Sequence, residues 1–173
     1  MKNKKVTLIS WTIVAILIIL VILFFDYKNK VVVPTVGADG KISGNYSIAG
    51  IMKIGKPYEC TFQKSDGTSQ IAGTIYTDGA QVSGNFKIKT DLVKTQFNDF
   101  LIIKGGQSYT WTSLSNLGYK YPTAQSASTN ASPQEQSQII GTKDKMQYDC
   151  VPWAPVDNSV FETPSNISFS TFK

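Results

Sequence analysis

The sequence predicts a mainly β domain carried behind one N-terminal transmembrane helix, with little other helix. Three observations predict it. Residues 6–25 read VTLISWTIVAILIILVILFF, twenty residues without a charge, a Gly or a Pro. From about Ile42 onward the apolar residues recur with a period of two rather than 3.6. Asp-Gly and Gly-Gly pairs separate these runs, and such pairs supply the positive φ of tight hairpin turns.

The apolar run comes first. At about 1.5 Å per residue it spans roughly 30 Å, the thickness of a bilayer core. Its polar members, Thr7, Ser10 and Thr12, carry hydroxyls that bond back to a helix backbone. Trp11 and Tyr27 lie toward its two ends, where amphipathic rings favour the head-group region. The run ends in Phe24-Phe25-Asp26-Tyr27-Lys28, with no small-residue cleavage site, so an uncleaved signal anchor is expected. Lys2, Lys4 and Lys5 precede it, and Lys28 and Lys30 with Asp26 follow it. That bias predicts residues 1–5 in the cytoplasm and the C-terminal domain outside the cell membrane.

All 17 cations of the 173-residue chain are Lys, and there is no Arg and no His. The formal charge of +5 suggests polyanion binding until it is located. Residues 1–30 hold five Lys against one Asp; residues 31–173 hold twelve Lys against eleven acids. The basic character belongs to the flanks of the anchor, and no nucleic-acid footprint is expected on the near-neutral remainder.

Residues 26–41 mix Lys, Pro and Gly and read as a tether. The exported domain, 42–173, follows. Tyr58, Cys60 and Phe62 alternate with Glu59, Thr61 and Gln63. Val82, Gly84, Phe86 and Ile88 alternate with Ser83, Asn85, Lys87 and Lys89, and Tyr109 and Trp111 with Ser108, Thr110 and Thr112. Each is a strand with one apolar and one wet face. Asp66-Gly67, Asp78-Gly79 and Gly105-Gly106 punctuate them, the second between strands at 71–77 and 80–89. Strands joined by such turns are antiparallel neighbours, so 57–113 reads as an up-down meander. Residues 92–104 fit a long strand, or a short helix leading into one; the strand is the preferred reading. Residues 121–138, rich in Ser, Thr, Ala, Gln and Asn, read as a flexible loop. Alternation resumes at Met146, Tyr148 and Cys150, then stops in the Pro-rich stretch 151–164, which Trp153 and Phe161 pin against the core. Ile167 and Phe169 alternate with Ser168 and Ser170 as a last strand.

Cys60 and Cys150 both fall on the apolar parity of exported strands. Two buried thiols are one reading. Outside the membrane a disulfide is the preferred one, closing a loop of about 90 residues. The spacing fits neither a redox pair nor a zinc site.

Chemistry is sparse. Without His there is no Ser-His-Asp or Cys-His nucleophile system and no His-ligated metal. Without Arg there is no bidentate guanidinium clamp. The acids sit singly, several of them at turns where Asp is a turn former. No enzyme activity, cofactor or metal is expected. Three Asn-x-Ser triplets, at Asn45, Asn130 and Asn166, are read as chance in an Asn- and Ser-rich chain. The aromatics of the meander, Tyr58, Phe62, Tyr76, Phe86, Tyr109 and Trp111, either fill a plain core or line an apolar ligand face on a curved sheet.

The stretch Gly73-Thr74-Ile75-Tyr76-x-Asp78-Gly79, then Ile102-Ile103-x-x-Gly106-x-x-Tyr109-x-Trp111, then Gly118-Tyr119-Lys120, is similar to the centre of lipoprotein-carrier (LolA/LolB-like) domains. The ending Tyr148-x-Cys150-x-Pro152-Trp153 through Pro164 also resembles small uncharacterised membrane-anchored proteins of small-genome bacteria. The resemblance covers roughly residues 51–170. It implies an unclosed, strongly bent antiparallel sheet, a half-barrel whose concave apolar face holds acyl chains. This chain differs from the carriers in its transmembrane tether, in lacking their long N-terminal helices and in having no Arg. The expectation is a membrane-anchored extracytoplasmic binding module that sits in the lipid bilayer through residues 6–25 and holds a lipid or lipoprotein acyl chain. The alternative is a structural or protein-interaction domain of the cell envelope with a filled core and no ligand. The sequence leaves the oligomeric state open.

Overall fold

The structure is a computed structural model that describes residues 31–65, 67–90, 95–123 and 142–171. The expected anchor, residues 6–25, the cytoplasmic residues 1–5 and most of the expected loop 121–138 lie outside the described residues. No helix among the described residues is long and apolar enough to cross a membrane.

Nine strands form one sheet: β1 (Ile42–Ser47), β2 (Tyr58–Ser65), β3 (Ser69–Thr77), β4 (Val82–Thr90), β5 (Phe97–Lys104), β6 (Gln107–Thr112), β7 (Leu117–Pro122), β8 (Lys145–Pro152) and β9 (Ser168–Thr171). Their spatial order is β1-β8-β2-β3-β4-β5-β6-β7-β9, an open sheet with β1 and β9 at its edges. Every pairing is antiparallel except β7 with β9. The expected meander is therefore present as β2 to β6 and continues into β7.

The turns explain the register. Gly105 and Gly106 have φ of 57° and 73°, the paired positive values of a two-residue hairpin turn, and Lys104 pairs with Gln107 across it. The β3–β4 turn differs from the expected Asp-Gly pair. Thr77 pairs with Val82, so four residues make the turn. The Asp78 carboxylate accepts from the amides of Ala80 (2.7 Å) and Gln81 (2.6 Å). It thereby satisfies two donors that a longer strand would have used. Gly79 follows at φ 95°, against the backbone of Gly55.

Residues 92–104 resolve as a strand from Phe97 onward; residues 91–94 lie outside the described residues. The expected loop at 121–138 begins later than expected. Tyr121 pairs with Ser108 and Pro122 with Gln107, and Tyr121 is buried because it falls on the core side of β7.

Among the described residues two connections cross the sheet, one on each face. β1 and β2 both pair antiparallel with β8, so they run parallel to each other and need a crossover. That crossover carries the short helix α1 (Ile48–Met52). Ser47 Oγ accepts from the Gly50 amide (3.2 Å) and caps the helix, while the Ala49 amide donates to the Thr142 carbonyl (2.9 Å). Ile48 and Ile51 turn onto the sheet. β8 and β9 are likewise parallel in direction, and residues 153–167 join them with a 3-10 turn at Asn158–Phe161 that packs on β4 and β5.

The main core lies on the face that α1 crosses. Cα partners run straight across the sheet from Ile42 through Cys150, Cys60, Ile75 and Gly84 to Leu101 and Thr110. The next row carries Tyr148, Phe62, Gly73, Phe86 and Asp99. Cys60 and Cys150 are thus directly opposite, and they form a disulfide with Cα atoms 3.9 Å apart.

Candidate functional surface

The six aromatics expected to share a ligand face do not share one. Tyr58, Phe62 and Phe86 point to the core face and are 2%, 6% and 1% exposed. Phe62 packs against Phe86 (ring centroids 5.7 Å) and edge-on against Tyr148 (5.3 Å). Gly73 and Gly84 make the space: a Cβ on Gly73 would come within 2.7 Å of Phe86 Cδ1, and one on Gly84 would overlap the same ring. Tyr58 donates to the Gly40 carbonyl (3.0 Å) and ties the tether to the sheet. The Tyr148 hydroxyl has no hydrogen-bond partner among the described residues. Burial, and secondarily the charge of Asp144, push its phenol well above the ordinary tyrosine range.

Tyr76, Tyr109 and Trp111 lie on the opposite face, because their Cα partners are Glu59, Lys120 and Gly118. There the C-terminal crossover covers them. Trp153 packs on Tyr76 (5.0 Å) and Phe161 on Trp153 (6.0 Å). Lys104 Nζ donates to the Phe161 carbonyl (3.0 Å). Phe169 on β9 meets both Tyr109 and Trp111 edge-on, and Trp111 stacks on Phe100 at 5.1 Å. Gly118 gives Phe169 its room, since a Cβ there would lie 2.7 Å from the ring. Both Trp153 and Phe161 thus pin the C-terminal stretch, but to the face opposite the main core.

Among the described residues the crossover leaves part of that face uncovered. Where β8, β2, β3 and β4 run side by side, the strands form a concavity of about 600 Å³. Gln147 and Asp149 come from β8, Thr61 and Gln63 from β2, Thr74 and Tyr76 from β3, and Asn85 and Lys87 from β4. Alternation puts these side chains on one surface, and the register aligns them: Thr61 is paired with both Asp149 and Thr74, and Thr74 with Asn85. Asp149 accepts from Ser43 Oγ (2.6 Å). Tyr76 donates to Glu59 (3.3 Å), and burial, then the Glu59 charge, raise its phenol. A second recess, of about 480 Å³, lies at the β6–β7 turn between Trp111 and Asn166, beside exposed Leu114.

One titratable group was missed by sequence reasoning. Asp99 sits on the core side of β5, between Phe97 and Leu101, and is buried. Desolvation pushes its carboxyl up to about 7, although it accepts from the Phe100 amide (3.0 Å). Its signal was an acid on the apolar parity of a strand. Asp78, by contrast, is partly desolvated yet held below the usual range by the Gln81 and Ala80 amides. Among the described residues no group of three Cys, Asp or Glu side chains is arranged to hold a metal ion. No protein-family model, curated protein or solved structure matches this chain.

Proposed function

We propose that this chain is a membrane-anchored interaction module of the cell envelope, held by residues 6–25 and acting outside the membrane through the surface of its sheet. The observation that carries this reading is the filled core face. Its aromatics pack ring against ring, and Ile48 and Ile51 of α1 belong to the same buried cluster. The one hydrophobic run without charge supports the anchor, and the near-neutral remainder supports a soluble exported domain.

The competing reading is an acyl-chain carrier on a bent half-barrel of the lipoprotein-carrier kind. In that reading α1 would swing away and the rings of Phe62 and Phe86 would part to admit a chain. The two are separated by placing the full chain in lipid nanodiscs doped with a phospholipid that carries a photoactivatable acyl chain. Surface action predicts labelled peptides from residues 1–30 alone. Label on peptides containing Phe62, Phe86 or Leu101 would overturn it in favour of acyl-chain carriage.

A further inference from the structure

We infer that the concavity across β8, β2, β3 and β4 binds a neutral glycan chain; this rests on the reading that the domain acts through its surface. The volume, about 600 Å³, lies in the range of small-ligand sites. It is built on four adjacent strands in the interior of the sheet, which holds its side chains at fixed spacing.

The lining is chemically narrow. Gln63, Asn85 and Gln147 offer carboxamides, and Thr61 and Thr74 offer hydroxyls. Each of these groups both donates and accepts, which suits the vicinal hydroxyls of a sugar. Among the described residues none of the five is seen in a side-chain hydrogen bond; Thr61, Gln63, Asn85 and Gln147 are exposed and Thr74 is half-buried. The charges are one Lys87 and one Asp149, opposite in sign, with Asp149 already bonded to Ser43. A polyanion such as nucleic acid needs an excess of cations, and an acyl chain needs an apolar wall. Neither is present: Lys87 is the one cation among the lining residues, and the apolar side chains there are Ala72, the Tyr76 ring and Phe62, which is 6% exposed. What is present at the upper end is the Tyr76 ring, steadied from behind by Trp153 and through its hydroxyl by Glu59. A ring held by these two contacts beside carboxamides offers the C–H face of a pyranose its apolar contact and the sugar rim its hydrogen bonds.

The test uses the full chain in nanodiscs and four neutral probes: maltotetraose, cellotetraose, mannotetraose and N-acetylchitotetraose. Saturation-transfer NMR and calorimetric titration read binding. At least one probe is expected to bind at millimolar concentration or below. The double variant Gln63→Ala/Asn85→Ala should weaken it by about tenfold or more, with an unchanged thermal midpoint, and Trp111→Ala, remote from the concavity, should leave it unchanged. Absence of binding by all four probes overturns the inference, as does binding that survives the double variant. Failure here with photolabel still confined to residues 1–30 removes the glycan and leaves the surface reading standing; photolabel in the core removes the surface reading itself.

Discussion

The two faces of the sheet are both apolar in part, yet they are built in different ways. On the core face the rings of Phe62, Phe86 and Tyr148 pack against one another, in one buried cluster with the Cys60–Cys150 disulfide and with Ile48 and Ile51 of α1. On the opposite face the rings of Tyr76, Tyr109 and Trp111 are half-buried, and each is covered by a residue of the C-terminal crossover or β9. One face is closed by strands that pair with their neighbours. The other is closed by a strap, and only as far as the strap reaches. The polar concavity begins where Trp153 ends its cover. Stability should therefore concentrate on the first face and binding on the second.

The sharpest contrast is the disulfide. Replacing Cys60 and Cys150 by Ala releases a constraint of sequence separation 90, for which chain entropy gives about 4–5 kcal/mol. Chemical denaturation should show a loss of that order. Truncating Phe86 to Ala should cost about 3–5 kcal/mol, because the ring is enclosed on all sides. Trp153→Ala, on the strapped face, should cost less, about 1–2 kcal/mol, because its ring is only partly buried. Equal losses for the two variants would break the comparison.

Asp99 tests the core face through pH. Its folded pKa of about 7 lies above the ordinary 3.8, so the folded state holds a proton that the unfolded chain has released. Its contribution is fully present below pH 3.8 and is lost as pH rises toward 7. The loss approaches about 4 kcal/mol by pH 7. Asp99→Asn should flatten that slope, giving a variant more stable than the parent at pH 8 and little changed at pH 4. A parent whose denaturation midpoint is constant from pH 4 to pH 8 would refute the assignment.

The smallest effect has the opposite sign. Tyr148 buries a hydroxyl with no partner among the described residues, so Tyr148→Phe removes a desolvation cost without opening a cavity. Stability should stay level or rise by up to about 1 kcal/mol. A clear loss would mean that the hydroxyl is bonded.

Much of the fold was legible because strand alternation is local. The parity of Val82, Gly84, Phe86 and Ile88 named the buried side of β4, and Gly105-Gly106 named the β5–β6 turn. The paired cysteines followed from shared apolar parity, and the register then set them directly opposite. The run Phe100-Leu101-Ile102-Ile103 was ambiguous for a physical reason: β5 is covered on both faces, so alternation is erased there. Tyr76 was misgrouped with Phe62 because Ala72 and Thr74 leave β3 with a weak contrast between its faces. The parallel pairing of β9 had no signature, since it depends on a crossover of irregular chain.

The candidate surface was the least legible part. Thr61, Thr74 and Asn85 are unremarkable polar residues in sequence. They become neighbours through pairings between β2, β3 and β4, and Gln147 joins them from β8, which begins 55 residues after β4 ends in the chain but pairs directly with β2 in the sheet.

By itself the sequence determined the class of structure: strands rather than helices, which side of most strands is apolar, where the tight turns fall and where the charge lies. These follow from two-residue backbone geometry and from composition, both of which are local. The tertiary structure decided how β8 enters between β1 and β2, which face the C-terminal strap covers and where it stops. Those outcomes depend on pairing between segments far apart in the chain, which no short-range periodicity encodes.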